Sequence, residues 1–283
     1  MNHKKSLQYY TNKAGKAPKY IFIILLCVIF LMPFIVMFTT AFKTLDDAFR
    51  LPVSIFPREF TLENFPAAMN RIPFWSYMGN TAFITLISLA GQLIVTPMVA
   101  YSLAKIKWKG SSIISALLMA TMMIPYTVTM IPLYRIWHEL GMTGTYVPLI
   151  APAFCGNAFY IIIMRQFFIG IPNSLIEAAK IDGANEWQRY FKIALPLCKP
   201  ALTTVGIYTF LAAWSDYLGP LIYITKKERL TLSLGLQQFL NEFTVDWTML
   251  MAAATLFVLP VLVLFLVFQR NFVEGVATSG IKA

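Results

Sequence analysis

The sequence predicts an all-α membrane protein with six transmembrane helices, and three observations lead there. Of its 283 residues, 58% are hydrophobic and only 13% charged, about half the charge of a soluble globular domain. The apolar residues gather into six long runs, where about 20 such residues suffice for a helix to cross a bilayer. The Lys and Arg residues are denser in alternate gaps between those runs, the asymmetry expected of a chain threaded back and forth through a membrane.

In order along the chain, residues 1–19 hold Lys4, Lys5, Lys13, Lys16 and Lys19 and no acid. A signal peptide can begin this way, but its apolar core runs to about 7–15 residues. Tyr20–Phe42 is uncharged for 23 residues and no A-x-A site follows. Residues 20–42 therefore read as a first transmembrane helix that stays attached, with Pro33 as a kink that a bundle accommodates. Residues 43–78 mix acids and bases with Pro52, Pro57, Pro66 and Pro73, the composition of an ordered extracytoplasmic loop with short helices. A five-helix core is expected over 79–269, with spans near 79–103, 113–134, 146–168, 200–225 and Trp247–Gln269. Residues 270–283 form a C-terminal tail. No internal repeat or low-complexity tract is visible.

With the N-terminus cytoplasmic, the inward segments hold 15 Lys and Arg and the outward segments 8, in line with the positive-inside rule. Both termini are then cytoplasmic, as is the polar stretch 169–200. The net charge of +10 is scattered between apolar runs, which argues for a lipid bilayer and against nucleic acid. Cys27, Cys155 and Cys198 are odd in number and lack metal-ligand spacing, so buried, inert thiols are expected. His3 and His138 lie far apart, and no G-x-x-x-x-G-K-S/T phosphate loop or paired nucleophile and base occurs. No catalytic residue and no metal site is expected on this chain.

The most strongly patterned polar segment is Ser174–Pro200. Ser174 with Glu177 has capping-box spacing, so a short helix should start near Ser174. Gly183 suits the left-handed residue that ends such a helix. Asn185 and Gln188 repeat the capping pattern, and a second helix can run until Pro196 stops it. The first helix carries Leu175, Ile176, Ala178, Ala179 and Ile181, too apolar a set for a solvated loop. Something should dock there.

Inside the spans, Asp216 is the one acid in an otherwise apolar run. Counted from Ala201 it lies about 23 Å along a core about 30 Å thick, so two readings stand: an acid at the outer interface, or one lining a solute path. Asn157 is open to helix packing or solute contact. Tyr126, Tyr160, Trp214 and Tyr217 can stack on an uncharged sugar or anchor at the interface.

The order Glu177-Ala178-Ala179, Asp182-Gly183-Ala184, Phe191, Ile193, Pro196 and Pro200 resembles the EAA loop of ABC importer permeases. Phe60–Phe65, Trp214–Leu218 and Gln269–Gly275 extend the resemblance to the carbohydrate branch, most closely its six-span G-type subunit. The resemblance covers residues 15–283 and implies the type I importer permease fold, with a cytoplasmic coupling helix in the EAA loop at 169–200. It further implies an F-type permease as heterodimer partner, two ATPase subunits, and an extracytoplasmic solute-binding protein that delivers a di- or oligosaccharide. No cofactor is expected on this chain, and ATP and Mg²⁺ belong to the ATPase. Glu177, Ala178, Ala179, Asp182 and Gly183 are the expected ATPase-coupling residues. Asn157, Tyr160, Trp214 and Asp216 are the candidates for the translocation path. The tail 272–283 is either a segment reaching towards the ATPases or a frayed end. The implied localisation is the cell membrane of a prokaryote. The rival reading is a secondary transporter or channel working without an ATPase, and a membrane scaffold is a third.

Overall fold

The computed structural model describes residues 17–240 and 246–279, with side chains from 18 to 240 and from 246 to 269. Most of the tail predicted at 1–19, and residues 280–283, lie outside the described residues. The described backbone is helical apart from loops and one isolated bridge between Lys43 and Phe60. Four helical stretches, Val147–Gly170 with its short break among them, are long and apolar enough to cross a membrane, or up to six if two sharply bent helix pairs each count as one span.

The chain divides into two compact units. The first comprises 1–71 and 239–256. Its helix α1 (Ala17–Ala41) is apolar all round and carries no buried residue over most of its length, as expected where lipid replaces water as solvent. Two short helices, α2 (Leu45–Phe49) and α3 (Asn64–Arg71), follow. Asn64 ties this loop to the end of α1 by donating to the carbonyls of Ala41 (2.9 Å) and Lys43 (2.7 Å). Phe42 packs between Phe60 and Phe65 beside it.

The second unit, 72–238 with 257–283, is built on α4 (Phe74–Lys105). At 1.5 Å per residue its 32 residues span about 48 Å, longer than the hydrocarbon core of a bilayer. Around it come α5 (Ser111–Thr121), α6 (Tyr126–Glu139), α7 (Val147–Cys155) and α8 (Ala158–Gly170). Next are α9 (Asn173–Ile181), α10 (Glu186–Arg189), a five-residue π turn (Tyr190–Ala194) and α11 (Leu195–Leu197). The order ends with α12 (Lys199–Trp214), α13 (Leu218–Tyr223), α14 (Leu232–Gln237) and α15 (Trp247–Ser279). The last helix enters the second unit at Phe257 and continues through the segment expected as a tail, up to Ser279. The core of this unit joins Ala100 and Tyr101 of α4 to Met164 and Phe168 of α8, and to Tyr190, Ala194 and Val205.

Three expected spans are interrupted. The one placed at 113–134 bends by 102° between α5 and α6. Pro125 sits at the break with extended backbone (ψ 139°), and its ring, which lacks an N–H and crowds the preceding turn, favours a break there. The span at 146–168 breaks at Gly156-Asn157, where Gly156 has φ 81°. The span at 200–225 is helical only to Trp214 and resumes at Leu218. The thiol expectation is corrected as well. Cys198 is buried, but Cys27 and Cys155 are exposed, because an apolar run that crosses a bilayer need not be covered by protein.

Candidate functional site

Two features of the second unit stand out, and the first is the segment 172–200. Helix α9 starts at Asn173 without a side-chain cap. The Ser174–Glu177 capping box does not form: Pro172 supplies the turn into the helix. Asn173 Oδ1 instead accepts from Lys105 Nζ (2.8 Å), which also donates to the Ile171 carbonyl (2.6 Å). The end of α9 is a Schellman motif, in which Ala184 N–H donates to Ala179 O (2.9 Å) and Gly183 N–H to Lys180 O (3.1 Å). That motif needs a left-handed residue at its turn, and Gly183 has φ 81°. Asn185 and Gln188 do form a reciprocal capping box, with both bonds at 2.9 Å. Pro196 does not stop the second helix. The chain widens into the π turn just before it and runs to Leu197.

Of the apolar residues on α9, only Ile176 is buried, and it packs into the helix core. Leu175 is exposed and Ile181 is 87% exposed. Trp187 and Phe191 lie exposed next along the segment and stack on one another (6.0 Å, 20°). Glu177, Ala178, Asp182 and Gly183 face solvent, and Ala179 is half-buried. Behind this face, Glu186 pairs with Arg189 (2.6 Å) and accepts from the Tyr101 hydroxyl (3.3 Å). Burial pushes the neighbouring Tyr190 hydroxyl up to about 12, so it stays neutral. Replacing Asn185 with Ala removes the cap and is expected to cost about 1 kcal/mol locally. Hydrogen–deuterium exchange should then quicken over 186–194 and not over 173–181; equal protection in both would refute the cap's role.

The second feature is an open cavity of about 770 Å³. Thr121, Met122 and Tyr126 reach it from the α5–α6 break, Gly156 and Asn157 from the α7–α8 break, and Asp216 and Gly219 from the α12–α13 break. All three helix interruptions converge on one space. Irregular backbone at membrane depth is tolerated where it lines a water-filled cavity. Asp216 Oδ1 accepts from Gly219 N–H (3.0 Å), and a Cβ on Gly219 would collide with that carboxylate and with Leu149. Asn157 caps α8 by accepting from Phe159 N–H (2.9 Å). Tyr126, Phe159, Tyr160 and Tyr223 supply aromatic faces.

Of the four candidates for the translocation path, Asn157, Tyr160 and Asp216 line this cavity and Trp214 does not. Trp214 is 4% exposed, donates Nε1–H to the Phe257 carbonyl (3.0 Å) and stacks between Phe210 and Phe257. Its indole fixes α15 against α12 within this unit. Gln92 escaped the sequence reading. It lies on α4 in a buried polar row, Thr81, Thr85, Ser88, Gln92 and Thr96, spaced to share one helix face. With its amide oriented to satisfy both ends, Gln92 donates to Ala153 O (3.2 Å) and accepts from Asn157 N–H (3.0 Å) and Thr96 Oγ1 (2.6 Å). It thereby closes the backbone opened at the α7–α8 break. The three-and-four spacing of polar residues within an apolar run was the available signal.

Comparison with known proteins agrees with this architecture. Residues 93–278 match the family described as binding-protein-dependent transport system inner membrane component. An arabinooligosaccharide transport system permease of Halalkalibacterium halodurans is 32% identical, over 80% of this chain and 81% of that protein. A diacetylchitobiose uptake system permease of Streptomyces coelicolor is 31% identical, over 87% and 90%. A bacterial ABC transporter involved in the import of the acidic polysaccharide alginate superposes with a TM-score of 0.82 at 24% identity, over 93% of this chain and 98% of that one, a likeness of fold. The chain is a multi-pass, non-catalytic permease subunit belonging to the inner-membrane components of binding-protein-dependent ABC transport systems.

Proposed function

We propose that this permease forms half of the translocation path of an ATP-driven importer for a di- or oligosaccharide, and that it pairs with a second, different permease. The observation that carries the reading is the cavity on which three interrupted helices converge, rimmed by tyrosines and Asn157. Sugars are bound by stacking on aromatic faces and by hydrogen bonds to hydroxyls, and Asn157 and the tyrosine hydroxyls offer both donors and acceptors. The names of the relatives, arabinooligosaccharide and diacetylchitobiose permeases, support the same solute class.

The exposed side chains of Leu175, Ile181, Trp187 and Phe191 are the proposed seat of an ATPase subunit, one of two, which bind ATP and Mg²⁺. Burying side chains of this size is worth about 1.5–3 kcal/mol each, ample for docking. Glu177 contributes polar contact, Ala178 and Ala179 allow close approach, and Asp182 with Gly183 sets the turn that passes motion on to α12. The asymmetry of basic residues supports a cytoplasmic location for this face and for both termini.

The test is purification in mild detergent with mass spectrometry of what co-purifies. The wild-type chain should bring down a second permease and an ATPase. Leu175→Asp with Ile181→Asp should lose the ATPase and keep the permease, because both side chains meet solvent and leave the fold intact. A chain recovered alone that still supports uptake into vesicles without ATP would overturn the reading.

A further inference from the structure

Asp216 stands in the cavity without a counter-charge. Among the described residues that line it there is no Lys, Arg or His, and the two ion pairs found in the described chain, Arg135–Glu139 and Arg189–Glu186, involve neither Asp216 nor the cavity. The carboxylate is also held in place. Its Oδ1 takes the Gly219 N–H, the Asp216 carbonyl accepts from Ser233 Oγ (2.6 Å), and Gly219 admits it only because it has no Cβ. The opposing influence in contact with it is the start of α13, whose Gly219 N–H the carboxylate accepts, a partial charge and not a counter-ion.

We infer that Asp216 makes this cavity exclude anionic saccharides, so that the transported solute is a neutral or N-acetylated sugar rather than a uronate or sulfonated one. The inference rests on the sugar reading above and narrows it. A uronate seated among Asn157, Tyr160 and Tyr223 would place like charges close together, and at low salt their repulsion is screened little. A neutral sugar meets the same carboxylate as a hydrogen-bond acceptor for its hydroxyls. Fixed rings of one charge sort ions in channels by the same means.

The assembled importer, purified without its binding protein and held in lipid nanodiscs, is titrated calorimetrically at low salt. The probes are cellotriose, arabinotriose and triacetylchitotriose, with trigalacturonate as the anionic counterpart. The expected result is that the best neutral trisaccharide binds about tenfold or more tightly than trigalacturonate. Asp216→Asn should bring the two within about threefold by tightening trigalacturonate, and Asp216→Glu should keep the gap. Trigalacturonate binding as tightly as the neutral sugars, or a gap unchanged in Asp216→Asn, overturns the inference and leaves the sugar reading standing. Binding of no saccharide of either charge overturns both.

Discussion

Replacing Gly183 with valine is expected to reduce ATP-coupled uptake by about tenfold, with the protein still present in the membrane at near its normal level. Gly183 sits at φ 81° and a Cβ there would meet nothing within 4 Å, so the whole cost falls on the backbone. A left-handed L-residue costs about 1–2 kcal/mol, a factor of roughly 5–30 in the population of the intact turn. What is lost is the Schellman closure between α9 and α10, the joint through which the proposed ATPase contact must act. The side chains can be ranked in advance. Asparagine visits the left-handed region readily and should restore most activity, alanine less, and valine least. Uptake and membrane abundance measured across this series decide the matter, and equal uptake for Asn, Ala and Val would refute the role of the turn.

Gln92→Met should damage the protein more broadly. Methionine matches the length of glutamine but returns none of its hydrogen bonds, so Ala153 O, Asn157 N–H and the Thr96 hydroxyl lose their partner together. A buried group left unsatisfied costs about 1–3 kcal/mol, and three at one site sum to roughly 3 kcal/mol or more. Thermal unfolding of the purified protein should fall by about 5–10 °C, and uptake should fail because Asn157 and the start of α8 shift. Thr85→Val, a change on the same buried row where the hydroxyl has no partner and which does not line the cavity, should leave both measures nearly unchanged. A Gln92→Met protein with wild-type melting would show that the backbone break is closed some other way.

The parts of this architecture that were legible in the sequence are those fixed by composition and by local chemistry. Lipid as solvent leaves long uncharged runs, and α1 and α4 appear where such runs lie. The left-handed Gly183 and the Asn185–Gln188 box depend on residues three or four apart, and they form as read. The Ser174–Glu177 box has the same spacing and does not form, because Lys105, distant in the chain, engages Asn173 and Pro172 already turns the backbone. The interruptions at Pro125, at Gly156 and after Trp214 were hidden for a related reason. Hydropathy averages over a run and cannot see where the backbone leaves the helix inside it. Asp216 was placed by counting residues along a straight helix. Its surroundings became definite only when the other two breaks were brought beside it. Trp214 and Tyr160 are both aromatic residues in apolar runs, and only tertiary contact separates the one that braces α15 from the one that faces open space.

The two hydrogen bonds that Lys105 donates to Ile171 and Asn173 have a mechanical consequence. They clamp the end of α4 to the start of α9, and Ile176 seats α9 in the core, so a push on that handle has little slack to take up. From Lys105 back to Gln92 is 13 residues, a rigid arm of about 20 Å. A tilt of about 5° at the clamp would swing the far end by about 2 Å, comparable to the helix shifts that reorganise packed interfaces. The weakest point along that arm is Pro97, where the helix forgoes a backbone bond. Any flexing of the beam should concentrate there, one turn from the glutamine that holds the far joint shut.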